Sequence, residues 1–261
     1  MMSFVSRLAR SVSIAAYPLV KPLLPQGYRP YRYDGGRIYL DLHESHMMFQ
    51  RALNLYEQDK KRAIRSILKP GMTYVDIGVN KGYFTLIAAR EVGPPGRVIS
   101  IEPEAENCRW IRQSIEANGY QNVTLFEAAA GDHEGEVELF IGHKSGHHSL
   151  VRHERKHAGN TVAVPMHTLD NVLAERGIET IDAVKIDVEG AEMGVLRGAE
   201  CTLRRSQGVT VLMDLHPHME VDVREVAAFL RGLGFTLYEM AHPDRELRVI
   251  QPDLTEIVAR R

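Results

Sequence analysis

Hydrophobic positions along the chain change period repeatedly, which predicts strands and helices in alternation. Short apolar runs with β-branched residues predict buried strands within residues 73–86, 97–101, 123–126, 181–187 and 209–213. Apolar residues at helical spacing follow most of these runs. This alternation is typical of an α/β fold, with a mostly parallel sheet and helices on both faces.

Shorter elements are predicted outside this repeat. They are a hairpin over residues 28–42, one or two helices over 46–68, strands at 136–141 and 161–164, and a closing antiparallel hairpin of 236–240 with 247–250. We therefore predict an N-terminal extension over residues 1–45 and a single domain over residues 46–261.

Composition is that of an ordinary soluble globular protein. Hydrophobic residues make up 44% and charged residues 25% of the 261 residues, and the formal net charge is -2. This charge gives no electrostatic basis for nucleic-acid binding. Cys108 and Cys201 lie far apart on predicted helices, which favours a reducing compartment over a disulfide framework. We expect a cytoplasmic protein, with oligomerisation left open.

The first 25 residues have three interpretations. Arg7 and Arg10 precede a short apolar stretch that imitates a secretory signal, but serines interrupt it, Pro18 closes it and no convincing cleavage site follows. The stretch can also form an amphipathic helix that rests on a membrane or a partner subunit. A plain packing arm is the third interpretation. No apolar run approaches the length that spans a bilayer.

The loop Asp76-Ile77-Gly78-Val79-Asn80-Lys81-Gly82-Tyr83 joins the first central strand to a helix. Its glycines let a ligand lie against the main chain, and the helix N-terminus favours an anionic group. A dinucleotide site would have a third glycine where Asn80 stands, and Asp76 would repel a pyrophosphate. Both departures favour a cationic nucleoside without phosphates, such as S-adenosylmethionine. An ordinary βα turn is the alternative.

Acidic residues end the other central strands. Glu102 stands where an adenosine ribose meets a carboxylate in such folds, although it could instead cap the next helix. Asp132 follows three alanines that leave room for a flat base, and it can accept from an exocyclic amine or be a turn aspartate. Asp187 and Glu189 follow a buried strand, and His216 follows the next, so all three are expected at the ligand-binding edge of the sheet.

A polar stretch over residues 142–160 separates two predicted strands. Its histidines are His143, His147, His148, His153 and His157. No cysteine or nearby acid pair completes a preformed zinc site, so we expect no metal and prefer a lid that closes over an acceptor. Tyr56 and Glu57, on the predicted helices before the glycine loop, are weak candidates for cofactor or substrate contact, with ordinary helix surface as the alternative.

The glycine loop, Glu102-Pro103, and Val184-Lys185-Ile186-Asp187-Val188-Glu189-Gly190-Ala191-Glu192 with Leu196-Arg197-Gly198-Ala199 resemble the FkbM family of S-adenosylmethionine-dependent methyltransferases. The resemblance covers residues 55–240 and departs from the family at Val79, where alanine is common. It implies a Rossmann-like class I methyltransferase fold, with a seven-stranded, mostly parallel sheet whose last strand is antiparallel. The N-terminal arm and the histidine-rich insertion match no family pattern.

The resemblance also implies methyl transfer from S-adenosylmethionine to a hydroxyl of a small-molecule acceptor, such as a sugar or glycoside, a polyketide or a related metabolite. We expect the cofactor at Asp76, Gly78, Asn80, Gly82, Tyr83, Glu102, Asp132 and Asp187. A hydroxyl acceptor needs a base, for which His216 is the first candidate and Asp187 and Glu189 are the next. His216 could instead be a core histidine bonded to backbone.

Two rival functions remain at this point. One is an oxidoreductase that uses a nicotinamide dinucleotide, against which the missing middle glycine argues. The other is a non-catalytic or membrane-associated scaffold with a methyltransferase-like fold, for which the N-terminal arm is the support.

Overall fold

The computed structural model describes residues 4–142, 148–152, 157–240 and 242–261. The α-helices are α1 (Phe4–Val20), α2 (His46–Ala52), α3 (Gln58–Ile67), α4 (Tyr83–Val92), α5 (Ala105–Ala117), α6 (Leu169–Ala174), α7 (Glu192–Arg197), α8 (Glu200–Arg205) and α9 (Val223–Gly232). The strands are β1 (Arg29–Tyr33), β2 (Gly36–Leu40), β3 (Thr73–Ile77), β4 (Arg97–Glu102), β5 (Val123–Glu127), β6 (Ala129–Ala130), β7 (Gly135–Gly142), β8 (His157–His167), β9 (Ala183–Ile186), β10 (Thr210–Asp214), β11 (Thr236–Glu239), β12 (His242–Glu246) and β13 (Glu256–Arg260).

The central sheet has the strand order β12-β11-β13-β10-β9-β3-β4-β5. Strands β5, β4, β3, β9 and β10 pair in parallel, and β13 runs antiparallel between β10 and β11. The predicted α/β fold with a mostly parallel sheet is confirmed. The predicted count of seven strands is corrected to eight, because β12 adds an antiparallel strand at the edge.

The second arm of the predicted closing hairpin is wrong. Strand β11 forms where expected, but residues 247–250 form no strand, and the inner partner of β11 is β13. Ile257, Val258 and Ala259 are at most 1% exposed, so this apolar run fills the place between β10 and β11. The polar β12 stays at the edge, because an edge strand needs little apolar surface.

Helices cover both faces of the sheet. Alternate side chains of a strand point to opposite faces, and Tyr74 and Val75 of β3 accordingly enter different hydrophobic clusters. The Val75 cluster contains side chains of α6 to α9, including Val172, Leu196, Leu203 and Val226. The Tyr74 cluster contains side chains of α2, α3 and α4, including Met48, Ile64 and Leu86. The burial of both faces explains why these strands are apolar throughout.

The N-terminal elements pack on this core. The backbone N–H of Tyr39 in β2 donates to Ser114 of α5 at 3.0 Å. Helix α1 is attached through Tyr17, whose hydroxyl donates to the backbone oxygen of Leu42 at 2.7 Å. Among the described residues, no helix combines the length and apolar character of a membrane span. The boundary between extension and domain near residue 45 stays a prediction.

Candidate active site

The glycine loop brings the backbone between β3 and α4 against the end of β9. Gly78 has a φ of +75°, and a Cβ built on it would lie 1.7 Å from the backbone oxygen of Asp187. Only glycine fits this approach. Asn80 also has a positive φ of +56°, and its backbone N–H donates to Glu102 Oε2 at 2.7 Å. The loop therefore links the ends of β3, β4 and β9.

Glu102 is a buried carboxylate at the end of β4. It accepts from the Asn80 N–H and, at 3.0 Å, from the side-chain amide of Asn107. Burial raises the pKa of Glu102 to about 7, although these hydrogen bonds favour the ionised form. Helix α5 is capped by Glu104, which accepts from the N–H groups of Glu106 and Asn107. Glu102 accepts from the backbone N–H of Glu104, at 3.2 Å, and so supports the capping residue without being the cap.

Asp187, Glu189 and His216 form a second group at the carboxyl ends of β9 and β10. His216 Nε2 lies 3.7 Å from Asp187 Oδ1 and 3.6 Å from Glu189 Oε1. On the other side of the ring, Nδ1 lies 2.5 Å from Oε1 of Glu192, which is fully buried. Burial lowers the proton affinity of His216, but the Glu192 hydrogen bond and the neighbouring carboxylates outweigh it and raise its pKa to about 9.

The alternative interpretation of His216 as a core histidine bonded to backbone does not match its surroundings. Its side chain is 12% exposed, both ring nitrogens face carboxylates, and it lines a cavity.

Two buried lysines balance part of this negative charge. Lys60 Nζ donates to Asp214 at 2.7 Å and to Glu57 at 2.9 Å, and it is 3% exposed. Lys185 Nζ lies 3.4 Å from Asp187 Oδ2 and 3.5 Å from Asp76. Burial opposes ionisation of Asp187, but Lys185, Lys60 and His216 outweigh it and hold the pKa of this carboxyl well below its usual range.

A cavity of about 360 Å³ joins these two groups. Of the predicted site residues, it is lined by Gly78, Asn80, Glu102, Asp187, Glu189 and His216. Tyr56 and Glu57 line it as well, and the small side chains of Ala129 and Ala130 form part of its wall. The convergence of strand-end residues on one cavity is the arrangement expected at the carboxyl edge of an open α/β sheet.

Four predicted cofactor residues, Asp76, Gly82, Tyr83 and Asp132, do not line this cavity. Asp76 is 1% exposed, and its carboxylate accepts from the Thr85 hydroxyl at 2.7 Å. It therefore lies in the protein interior beneath the glycine loop. Gly82 forms the left-handed N-terminus of α4, and the buried Tyr83 donates to the backbone oxygen of Tyr56 at 3.0 Å.

Asp132 is directed to solvent. Its side chain is 43% exposed and lies 2.7 Å from His133 Nδ1. The chain turns away from the cavity after Ala130, because the following Gly131 packs its backbone against Gly198 and Met166. The turn-aspartate interpretation therefore describes the position of Asp132 better than the base-binding one.

The histidine-rich insertion is only partly described. His143, His147 and His153 lie outside the described residues, while His148 lines the cavity. The expectation of a lid over residues 142–160 stays a prediction.

Sequence reasoning missed several charged residues of the site. Arg51 donates to the side-chain oxygen of Asn80 at 3.1 Å and stacks on the Tyr56 ring, with its guanidinium carbon 4.3 Å from the centroid. Lys60 was missed although it lies four residues before Ile64 on the apolar face of α3, which is a signal of a buried charge. Lys185 had a similar signal, since it interrupts a buried strand.

Comparison with known proteins resolves which kind of α/β protein this is. A family model described as the methyltransferase FkbM domain matches residues 76–237. The chain belongs to the FkbM methyltransferase family. The family resemblance seen in the sequence is thus confirmed, and so are the enzyme class and S-adenosylmethionine as the cofactor.

Relatives with assigned activities are similar over most of their length. This FkbM family protein is 25% identical over 205 residues to 2-O-methyltransferase NoeI of Sinorhizobium fredii, covering 66% of this chain and 81% of the relative. It is 28% identical over 209 residues to 31-O-demethyl-FK506 methyltransferase FkbM of Streptomyces tacrolimicus, covering 67% and 77%.

Among solved structures, methyltransferase FkbM from Methylobacillus flagellatus has a TM-score of 0.50 at 13% identity, covering 96% of this chain and 59% of that one. This likeness concerns the fold alone.

The cavity fits a cationic nucleoside. Six carboxylates line it against the cations Arg51, Lys60 and the protonated His216, namely Glu57, Glu102, Asp187, Glu189, Asp214 and Glu256. A surplus of carboxylates in a partly buried site favours a positively charged ligand. Gly78, Ala129 and Ala130 have no side chain or a small one, so this part of the cavity wall leaves room for a ligand. The residues present are therefore compatible with the cofactor of the family.

Proposed function

We propose that this FkbM family protein methylates a hydroxyl oxygen of a small molecule, of the sugar, glycoside or polyketide class. The supporting observation is that Asp187, Glu189 and His216 face the same cavity as the glycine loop and Glu102. Two relatives are named for O-methylation at defined hydroxyls, which agrees with the proposal. S-adenosylmethionine supplies a methyl group on a positively charged sulfur, and this charge disappears as the methyl is transferred.

The residues of the glycine-loop side hold the donor. The Glu102 carboxylate would accept from the ribose hydroxyls, and the backbone of Gly78 and Asn80 would hold the amino-acid part. Ala129 and Ala130 would leave room for the base. Because transfer needs in-line contact between the two reactants, the main contribution of these residues is to fix position and exclude water.

The residues of the opposite side receive the acceptor. Asp187 and Glu189 can accept a hydrogen bond from a hydroxyl, and His216 can do so once its ring is neutral, which its pKa of about 9 makes the minor form at neutral pH. The acceptor proton passes to this group as the new oxygen–carbon bond forms. Glu192 holds the His216 ring in place from its buried side. His216 stays our first candidate for the base, and the two carboxylates stay the next.

The test uses methyl-labelled S-adenosylmethionine and a panel of glycosides and macrocyclic polyketides, each paired with the analogue that lacks one hydroxyl. We expect the label on oxygen, and no product from the matching deoxy acceptor. His216→Ala should abolish transfer while cofactor affinity is kept. His133→Ala is the control, because His133 lies on the exposed surface with a 67% exposed side chain. Label on nitrogen or carbon would contradict the proposal, and full activity of His216→Ala would remove His216 as the base.

A further inference from the structure

Three ligand atoms converge on one point of the cavity wall. Asp187, Glu189 and His216 each offer one ligand atom, and these three atoms all lie within 4.8 Å of one another. Two ligands that each lie about 2.1 Å from a shared metal ion are at most about 4.2 Å apart. The distances of 3.7 and 3.6 Å from Nε2 to the two carboxylates lie inside this limit.

The same distances are too long for direct hydrogen bonds from the ring to the carboxylates. The ring is instead fixed from behind, where the fully buried Glu192 lies 2.5 Å from Nδ1. A carboxylate that binds the distal ring nitrogen holds the other nitrogen toward a metal in many metalloproteins. Here it holds Nε2 toward the two carboxylates, a second observation that is independent of the acidic pair.

The charges on this side of the cavity also favour a cation. Asp187 and Glu189 are only 28% and 20% exposed, so solvent screens their mutual repulsion weakly. Lys185 binds the other oxygen of Asp187 and leaves Oδ1 facing His216. Two carboxylates and an imidazole suit divalent manganese, iron or zinc, with coordination positions left for a substrate.

We propose that Asp187, Glu189 and His216 bind one divalent cation, whose remaining positions hold the acceptor hydroxyl. The inference rests on the proposed function for the identity of the acceptor, and it replaces the expectation of a site without metal. The cation takes the place of the Nε2 proton, so His216 is then a neutral ligand rather than the base. The hydroxyl proton goes to a carboxylate of the group, the oxygen–carbon bond forms, and sulfur keeps the electron pair of the broken bond.

The test measures binding of Mn²⁺ to chelator-treated protein by calorimetry and by the loss of the free-ion electron paramagnetic resonance signal, without cofactor or acceptor. We expect one saturable site. His216→Ala and Asp187→Asn should weaken it by more than about 10-fold, and His133→Ala should leave it unchanged. Glu192→Gln keeps the side-chain volume and should weaken binding less than His216→Ala does. Thermal melts establish that each variant is folded.

The outcomes separate this inference from the proposed function. No saturable Mn²⁺ binding, or equal binding by wild type and His216→Ala, overturns the metal site. Labelled O-methyl product formed at full rate in excess chelator overturns its role in transfer, while the proposed function stands. Saturable Mn²⁺ binding that depends on His216, without any O-methyl product, supports the site and counts against the proposed function instead.

A second, independent observation concerns helix α1. Leu8, Val12 and Leu19 are 53%, 57% and 80% exposed, and Leu23 in the following turn is 85% exposed. Their spacing of four, seven and four residues places them on one side of the helix. The opposite side carries Ser13 and Tyr17, which bind the rest of the protein. The attachment of α1 through Ser13 and Tyr17 therefore leaves its apolar side exposed.

The charges in the N-terminal sequence indicate which kind of partner this stripe binds. Residues 1–33 contain Arg7, Arg10, Lys21, Arg29 and Arg32 and no acidic residue. Apolar side chains flanked by basic ones are typical of helices that lie in the plane of a bilayer with anionic headgroups. We infer that α1 docks the enzyme on an anionic lipid surface.

Vesicle flotation tests this. Phosphatidylcholine vesicles with about 30% phosphatidylglycerol should retain the protein, and pure phosphatidylcholine vesicles should retain much less. The double variant Val12→Ser, Leu19→Ser should lose about 10-fold or more of the binding. The matched control is Val249→Ser, because Val249 is 72% exposed and lies outside α1. Equal retention of wild type and double variant, or a dimer in solution that the double variant abolishes, would overturn the lipid assignment.

Discussion

The Glu102 carboxylate should make cofactor affinity depend on pH. Burial raises its pKa from the ordinary value of 4.5 to about 7. The ionised carboxylate offers both of its oxygens as acceptors to the two ribose hydroxyls, whereas protonation turns one of them into a donor, so binding should strengthen as pH rises through 7. The free energy of unfolding should change with pH in the opposite direction. The fold favours the neutral form of Glu102, and the contribution of this group to stability is lost as pH rises from 4.5 to about 7.

The size of the effect follows from the pKa. A group with a pKa near 7 is about 9% ionised at about pH 6 and about 91% ionised at about pH 8. The dissociation constant should therefore be about 10-fold lower at the higher pH, or about 1.4 kcal/mol. Glu102→Gln should weaken binding at the higher pH by about 10- to 150-fold, since hydrogen bonds to a charged group contribute about 1.5–3 kcal/mol. It should also remove the pH dependence.

Titration calorimetry with S-adenosylmethionine at both pH values measures these constants. Glu106→Gln is the control, because Glu106 is exposed on α5, the helix that follows Glu102, and does not line the cavity. Denaturant unfolding at both pH values shows whether the variants stay folded. A wild-type constant that is equal at the two pH values, or a glutamine variant that keeps the 10-fold change, would refute the assigned role.

Two substitutions test the frame of the site. Lys60→Met leaves the Asp214 carboxylate buried without its 2.7 Å partner and should cost about 3–5 kcal/mol of unfolding free energy, whereas exposed Lys69→Met should cost almost nothing by the same denaturation curve. A loss below about 1 kcal/mol would mean that Lys60 is not a structural counter-ion. Gly78→Ala should abolish cofactor binding, because the new Cβ would meet a backbone oxygen at 1.7 Å. Gly177→Ala is the control, because Gly177 has a φ of +62° and an added Cβ would meet nothing within 4 Å. This variant introduces backbone strain without a clash and should bind the cofactor normally. An equal loss of cofactor binding in both variants would show that backbone strain causes the effect.

The sequence identifies the strand-end residues because a parallel sheet brings the carboxyl ends of its strands to one edge. Glu102, Asp187 and His216 each follow a recognisable apolar strand, and all three line the cavity. Asp132 follows a strand as well, but the short β6 and the contact of Gly131 with Gly198 turn it outward. The local pattern of hydrophobic and polar residues carries no information about such a tertiary contact.

Contacts between residues far apart in sequence could not be predicted from the sequence either. Lys60 meets Asp214 across 154 positions of sequence, and no period in either segment encodes that pairing. Strand β13 was missed for a related reason, since the nearer segment 247–250 competes for the same partner on sequence alone. The more apolar of the two segments takes the inner place between β10 and β11. The sequence alone does not show that such an inner place exists.

One wall of the cavity is built by residues that precede the stretch recognised as the family domain. Arg51, Tyr56 and Lys60 come from α2, α3 and their connection, while the matched stretch begins at residue 76. A protein cut back to the recognised stretch would lose this wall, and with it the hydrogen bond from Arg51 to Asn80 of the glycine loop. Exchange of residues 46–68 between relatives would therefore change the surroundings of the glycine loop together with the cavity wall.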